Sequence, residues 1–101
     1  MPPRNGMRAV HPGEILRDEL QALDLSASAL SKALGVPVNR ITAILNGRRG
    51  VTADTALRLA RYFGTTPRVW LNLQQTYDLR RAEIAVGQRI AERVQPRHTA
   101  A

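Results

Sequence analysis

A chain of 101 residues has room for one domain with a modest core. Its 44% apolar content is enough to fold, and its net charge of +7, with fourteen of the fifteen basic residues Arg, favours an anionic partner. The absence of Cys excludes disulfides and thiolate metal sites, no apolar run approaches the ~20 residues of a membrane span, and Met1–Arg8 lack a signal-peptide core, so a cytoplasmic protein is expected.

No sustained alternation of apolar and polar residues marks a strand, so an all-α fold is expected. Residues 1–10 read as a flexible basic arm carrying Arg4 and Arg8. His11-Pro12-Gly13 opens the first helix, with Ile15, Leu16, Leu20 and Leu23 as its apolar residues. Ser26 is the predicted N-cap of the second, which runs through Leu30 and Leu34 and stops at Gly35. A third starts near Pro37 and ends by Gly47. Thr52 caps the fourth, where Ala56, Leu59, Ala60 and Phe63 recur at helical spacing, and Gly64 ends it. Thr66-Pro67 opens a fifth that extends to Val94, weakened by roughly 1 kcal/mol at Gly87. Residues 11–94 thus form the domain and 95–101 a flexible tail.

The informative stretch is Leu25 to Gly47: two short helices joined by a tight Leu34-Gly35-Val36-Pro37 turn. This is the grammar of a helix-turn-helix, whose second helix enters the major groove. Ser31 supplies the small side chain needed where the two helices cross. Ile41, Ile44 and Leu45 point to the core, which leaves Asn39, Thr42, Ala43 and Asn46 on the opposite face with Arg40 on its flank. Val38, Asn39, Arg40, Thr42 and Ala43 are the candidate base contacts: Arg40 for guanine O6 and N7, Asn39 and Thr42 for adenine and thymine, Val38 for a thymine methyl. Lys32, Arg40, Arg48 and Arg49 against Asp24 make residues 24–50 the densest basic excess. Ser26, Ser28, Asn46, Arg48 and Arg49 are accordingly the candidate phosphate contacts.

The run from Leu25 to Phe63 resembles the Xre, or phage-repressor-like, helix-turn-helix family. The matching residues are Leu30-Ser31-Lys32-Ala33-Leu34-Gly35-Val36, Ile41, Ile44, Asn46-Gly47-Arg48-Arg49, and Thr52 through Ala60. A narrower resemblance, to the HigA (VapI-like) antitoxins, lies in Met7 through Leu16 with its His-Pro-Gly-Glu block. It extends to Phe63 through Gln74 with its Trp-Leu-Asn-Leu-Gln block, and to Tyr77-Asp78-Leu79. The resemblance implies a five-helix, lambda-repressor-like fold with an extended C-terminal helix, homodimerisation, and binding of double-stranded operator DNA. It also implies neutralisation of a HigB-like toxin, an mRNA-cleaving ribonuclease of RelE-like fold. One departure is Ala27, where many repressors of the wider family place a Gln that clamps a phosphate. Ser26 and Ser28 flank it and offer hydroxyls in its stead.

Other features have bland readings. His11 is expected to cap a helix, since only His98 could join it as a metal ligand, and no cofactor or metal site is expected. Glu14 and Asp18 sit four apart, and with Arg17 and Glu19 adjacent they read as a solvated face. The same acids, Glu14, Asp18 and Glu19, form the surface that would complement a basic ribonuclease. Trp70, Leu73, Tyr77 and Ile84 recur along the fifth helix as a core stripe, part of which is a candidate dimer seam. The competing functions are a free-standing repressor without a toxin and an interaction module or RNA-associated coactivator that ignores sequence. An enzyme is disfavoured by the lack of a nucleophile–base pair, a phosphate-cradling loop or a metal constellation.

Overall fold

The computed structural model describes residues 8–97. Arg4 of the basic arm, His98 and the end of the tail lie outside them. The described residues form α1 (Pro12–Ala22), α2 (Ala27–Leu34), α3 (Val38–Leu45), α4 (Ala53–Phe63) and α5 (Pro67–Ala82). α5 runs without a break into a π-helical turn, Glu83–Gly87, and then α6 (Gln88–Arg93). The fifth predicted helix is therefore one rod that widens by a π turn.

Local chemistry sets each start. The side chains of Ser26, Thr52 and Thr66 accept hydrogen bonds from the N–H groups of Ala29, Thr55 and Val69. At α1 the cap is the imidazole of His11: Nδ1 accepts from the Gly13 N–H at 2.8 Å. The Glu14 carboxylate accepts the His11 N–H in return, completing a capping box. Between α2 and α3 the chain turns at Gly35, whose φ of +71° is a left-handed conformation that side chains resist.

The core is Leu16 and Leu20 of α1, Leu30 and Leu34 of α2, Ile41 and Ile44 of α3, Val51, Ala56, Leu59 and Ala60 of the α4 region, and Trp70 of α5. These are the inward positions of a 3.6-residue period, so α1–α4 enclose them and the first turns of α5 close the base. Ser31 is buried at the α2–α3 crossing, where its hydroxyl donates to the Ser28 carbonyl at 2.8 Å. Gly13 lies against the end of α3, so close that a Cβ there would collide with the Ile44 carbonyl oxygen.

Candidate nucleic-acid interface

α3 is held from three sides, which leaves one face open. Its inward residues Ile41 and Ile44 are fully buried and Leu45 is half-buried. From α1, Arg17 Nη2 donates to the Leu45 carbonyl at 3.1 Å and to Asn46 Oδ1 at 3.4 Å, placing a cation at the C-terminal end of α3. From α4, Asp54 takes Arg40 Nη1 at 2.6 Å. The open face presents Val38 and Asn39 exposed and Thr42 and Ala43 half-buried. The Thr42 hydroxyl donates to the Asn39 carbonyl at 3.3 Å, which leaves its oxygen lone pairs to accept. Of the residues expected at base edges, four therefore share one exposed surface, and Arg40 lies at its edge with its side chain only 22% exposed.

The residues expected at phosphates lie at the start of α2 and in the segment that ends α3. Ser26 and Ser28 are exposed at the start of α2. Ser26 Oγ already accepts from Ala29, which leaves its hydroxyl proton to give. Ala27 between them is half-buried against the core, so a long polar side chain at that position would have to leave the packing. Beyond α3, the N–H groups of Arg48 and Arg49 donate to the Ala43 carbonyl at 2.9 and 3.2 Å. This folds the loop back on α3 while both guanidinium groups stay exposed. Asn46 is exposed, and with its Oδ1 accepting from Arg17 its amide N–H groups remain to donate.

Three residues to which the sequence alone assigns no role organise this region. Asp54 Oδ2 accepts from both Arg40 and Arg58 Nε, the latter at 2.9 Å. Arg58 and Arg40 together hold the Asp54 carboxyl below the usual range, with the Arg58 hydrogen bond the larger influence. Arg58 Nη1 reaches the Leu34 carbonyl at 2.8 Å and so satisfies the end of α2. Gln74 Oε1 accepts the Val51 N–H at 2.7 Å, pinning the loop that carries Arg48 and Arg49 onto α5. The Asp54–Arg58 pair at i,i+4 is visible in the sequence. The contacts of Gln74 and Arg40 join residues far apart in the chain and carry no local signal.

The candidate seam and toxin surfaces divide. Trp70 is 4% exposed and tilts against Phe63, with its indole N–H donating to Thr65 Oγ1 at 3.2 Å. It supports α5 from inside and has no area left for a second copy. Leu73 is half-buried against the core. Tyr77 meets the His11 ring edge-on at 4.7 Å and takes the Arg81 guanidinium on its hydroxyl at 3.2 Å, so it too is partly spent within the chain. Ile84 is 60% exposed, in company with Leu79, Ile90 and Val94, which the stripe did not include. On α1, Asp18 and Glu19 are exposed. Glu14 is instead engaged by a two-pronged pair with Arg8, at 2.7 and 2.8 Å, and by its role in the cap. That pairing, Arg8 foremost, holds its carboxyl below the usual range.

Comparison with known proteins places this geometry. The helix-turn-helix family HTH_3 matches residues 16–71. Virulence-associated protein I of Dichelobacter nodosus is 58% identical over 81 residues, 79% of this chain and 75% of that protein. A solved addiction module antidote protein of the HigA family from Coxiella burnetii is 58% identical and superposes with a TM-score of 0.89, covering 90% of this chain and all of that one. The Pseudomonas aeruginosa antitoxin HigA, solved with the higBA promoter, is 46% identical with a TM-score of 0.86, over 88% of this chain and 98% of that one. No helix among the described residues is long and apolar enough to cross a membrane.

Proposed function

The chain belongs to the HigA branch of the Xre-like helix-turn-helix family, and on that premise we propose that it is the antitoxin of a type II toxin–antitoxin pair. It acts as a cytoplasmic homodimer that reads an inverted-repeat operator in its own promoter and neutralises a HigB-type, mRNA-cleaving toxin. The observation that carries the DNA half is the open face of α3. Val38, Asn39, Thr42 and Ala43 are exposed or half-exposed on α3, and Ser26 and Ser28 at the start of α2, Asn46 at the end of α3 and Arg48 and Arg49 just after it are exposed as well. A relative 46% identical over most of its length was solved with promoter DNA. In this reading the two serines, Asn46 and the two loop arginines fix the duplex by its phosphates, while the α3 face and Arg40 read bases. Two copies joined along the C-terminal rod would have to present their α3 helices roughly 34 Å apart, one turn of DNA.

The toxin half rests on family membership. Asp18 and Glu19 provide an acidic patch on an otherwise basic chain, suited to a ribonuclease surface that must attract RNA. Co-expression with the product of the adjacent reading frame tests it. The neighbour alone should arrest growth, and this chain should restore growth and co-purify with it. A harmless neighbour, or failure of rescue and co-purification, leaves a free-standing repressor in its place. Rescue that survives Asp18→Lys with Glu19→Lys overturns only the proposed surface.

A further inference from the structure

An Arg on the flank of a groove-facing helix follows the strongest field within reach, and on DNA that field belongs to the phosphates, which carry no sequence information. Arg40 is not free to do so. Its Nη1 donates to Asp54 Oδ2 at 2.6 Å. The acceptor is itself fixed, because the same oxygen takes Arg58 Nε at 2.9 Å while Arg58 Nη1 is anchored on the Leu34 carbonyl at 2.8 Å. An unbroken relay thus runs from the end of α2 through the first turn of α4 to α3. It leaves the Nε proton, one proton of Nη1 and both protons of Nη2 on Arg40, more than the pair of donors that matches guanine O6 and N7. Arg48 and Arg49 on the following loop are exposed and have no ion pair among the described residues. The cation on the groove-facing helix is clamped, and the two on the loop are not.

We propose that Asp54 is a specificity-determining positioning residue: it holds the Arg40 guanidinium ready for a base edge and keeps it from serving as a mobile phosphate-binding cation. The inference rests on the DNA-reading function proposed above. It follows from preorganisation, since a side chain already ordered loses less freedom on binding and has fewer alternative contacts.

The test measures binding of the full chain to a duplex from upstream of its own gene, to single-base variants of that duplex, and to an unrelated duplex, across a salt series. Asp54→Asn should lower the preference at one base position by about tenfold. It should also tighten binding to the unrelated duplex and steepen the salt dependence by about one unit, as Arg40 becomes a phosphate contact. In an Arg40→Ala background, Asp54→Asn should leave base preference unchanged, whereas with Arg40 present Asp54→Glu should retain part of the preference that Asp54→Asn loses. Preference retained at every position in Asp54→Asn, or lost equally in both backgrounds, overturns the inference while the repressor function stands. If Asp54→Asn does not fold, Arg58→Ala, which releases the same carboxylate from its anchor, must lower the same preference, and its failure to do so overturns the inference. A wild-type chain that prefers no sequence overturns the DNA-reading function and this inference with it.

Discussion

Gly13 sets α1 directly against the end of α3, where a Cβ would collide with the Ile44 carbonyl and crowd the His11 imidazole. Adding a methyl group must push the Ile44 carbonyl away or lift α1. Gly13→Ala is therefore expected to destabilise the fold by about 1–3 kcal/mol, the usual cost of overpacking, although Ala is the better helix former. The midpoint of urea unfolding reads this directly, and an unchanged or raised midpoint would refute the close approach. The carboxylates of Glu14 and Asp54 make a second residue-scale argument. Both are held below their ordinary values, Glu14 chiefly by Arg8 and Asp54 chiefly by Arg58 with Arg40. Below about pH 4 the unfolded chain binds protons at these positions that the folded chain refuses, so stability rises with pH there. Their contribution is complete above the ordinary carboxylate values and is lost as pH falls through the depressed ones. Both groups are solvent-exposed, so salt should blunt the effect. The unfolding midpoint should start to drop below about pH 5 and keep dropping past the ordinary carboxylate values, and Glu14→Gln with Asp54→Asn should flatten that drop. An equal drop in the double variant would show that other carboxylates cause it.

At the scale of elements, the loop after α3 owes its shape to the Ala43 carbonyl and to the clamp of Gln74 on Val51, not to its arginines. The Arg48 and Arg49 side chains can thus be removed without moving the loop. Arg48→Ala or Arg49→Ala should weaken binding to all duplexes alike and lower the salt slope by about one unit for each phosphate left without its cation. A change in base preference with no change in slope would put them at base edges instead. The same elements show how far the sequence can be read. Caps are local, so Ser26, Thr52, Thr66 and His11 are visible as starts, and the 3.6-residue period marks Leu30, Ile41, Ile44 and Leu59 as inward. The open face of α3 follows by subtraction. Periodicity along α5 shows that Trp70, Leu73, Tyr77 and Ile84 share a side, but not where the neighbouring helices stop covering it. The structure buries Trp70, half-covers Leu73 and Tyr77, and leaves Ile84 bare. The π turn at Glu83–Gly87 and the shared carboxylate of Asp54 depend on geometry that no single window contains.

The molecule as a whole measures 56 × 26 × 23 Å, which is long for so small a chain. The length comes from the C-terminal rod: α5, the π turn and α6 span 67–93, ~40 Å at 1.5 Å per residue. Its first half lies on α1 and α4, and from Gln88 onward every described residue is exposed. A helix end of this length has little stability alone in water, so packing must come from elsewhere. Leu79, Ile84 and Ile90 on it and Val94 just past its end are each more than half exposed, while the charged residues Arg80, Arg81, Glu83, Arg89, Glu92 and Arg93 lie between them. In the dimer proposed above, a second copy of the same rod would cover these apolar residues with a self-complementary surface, as two-fold symmetry requires. It would also supply the second half-site reader, without which one α3 touches too few base pairs for strong specificity. Ile84→Lys with Ile90→Lys removes apolar contact and adds repulsion across the axis. Burial of one such side chain stabilises by roughly 1.5–3 kcal/mol, so each substitution should weaken the dimer by on the order of tenfold or more. Sedimentation should then give a monomer at micromolar concentration. Circular dichroism should still show the α1–α4 core, because neither residue contributes to it. Operator affinity should fall to that of a half-site. A variant that stays dimeric and binds the full inverted repeat as before would place the seam elsewhere, with the partly covered Leu73 and Tyr77 next in line.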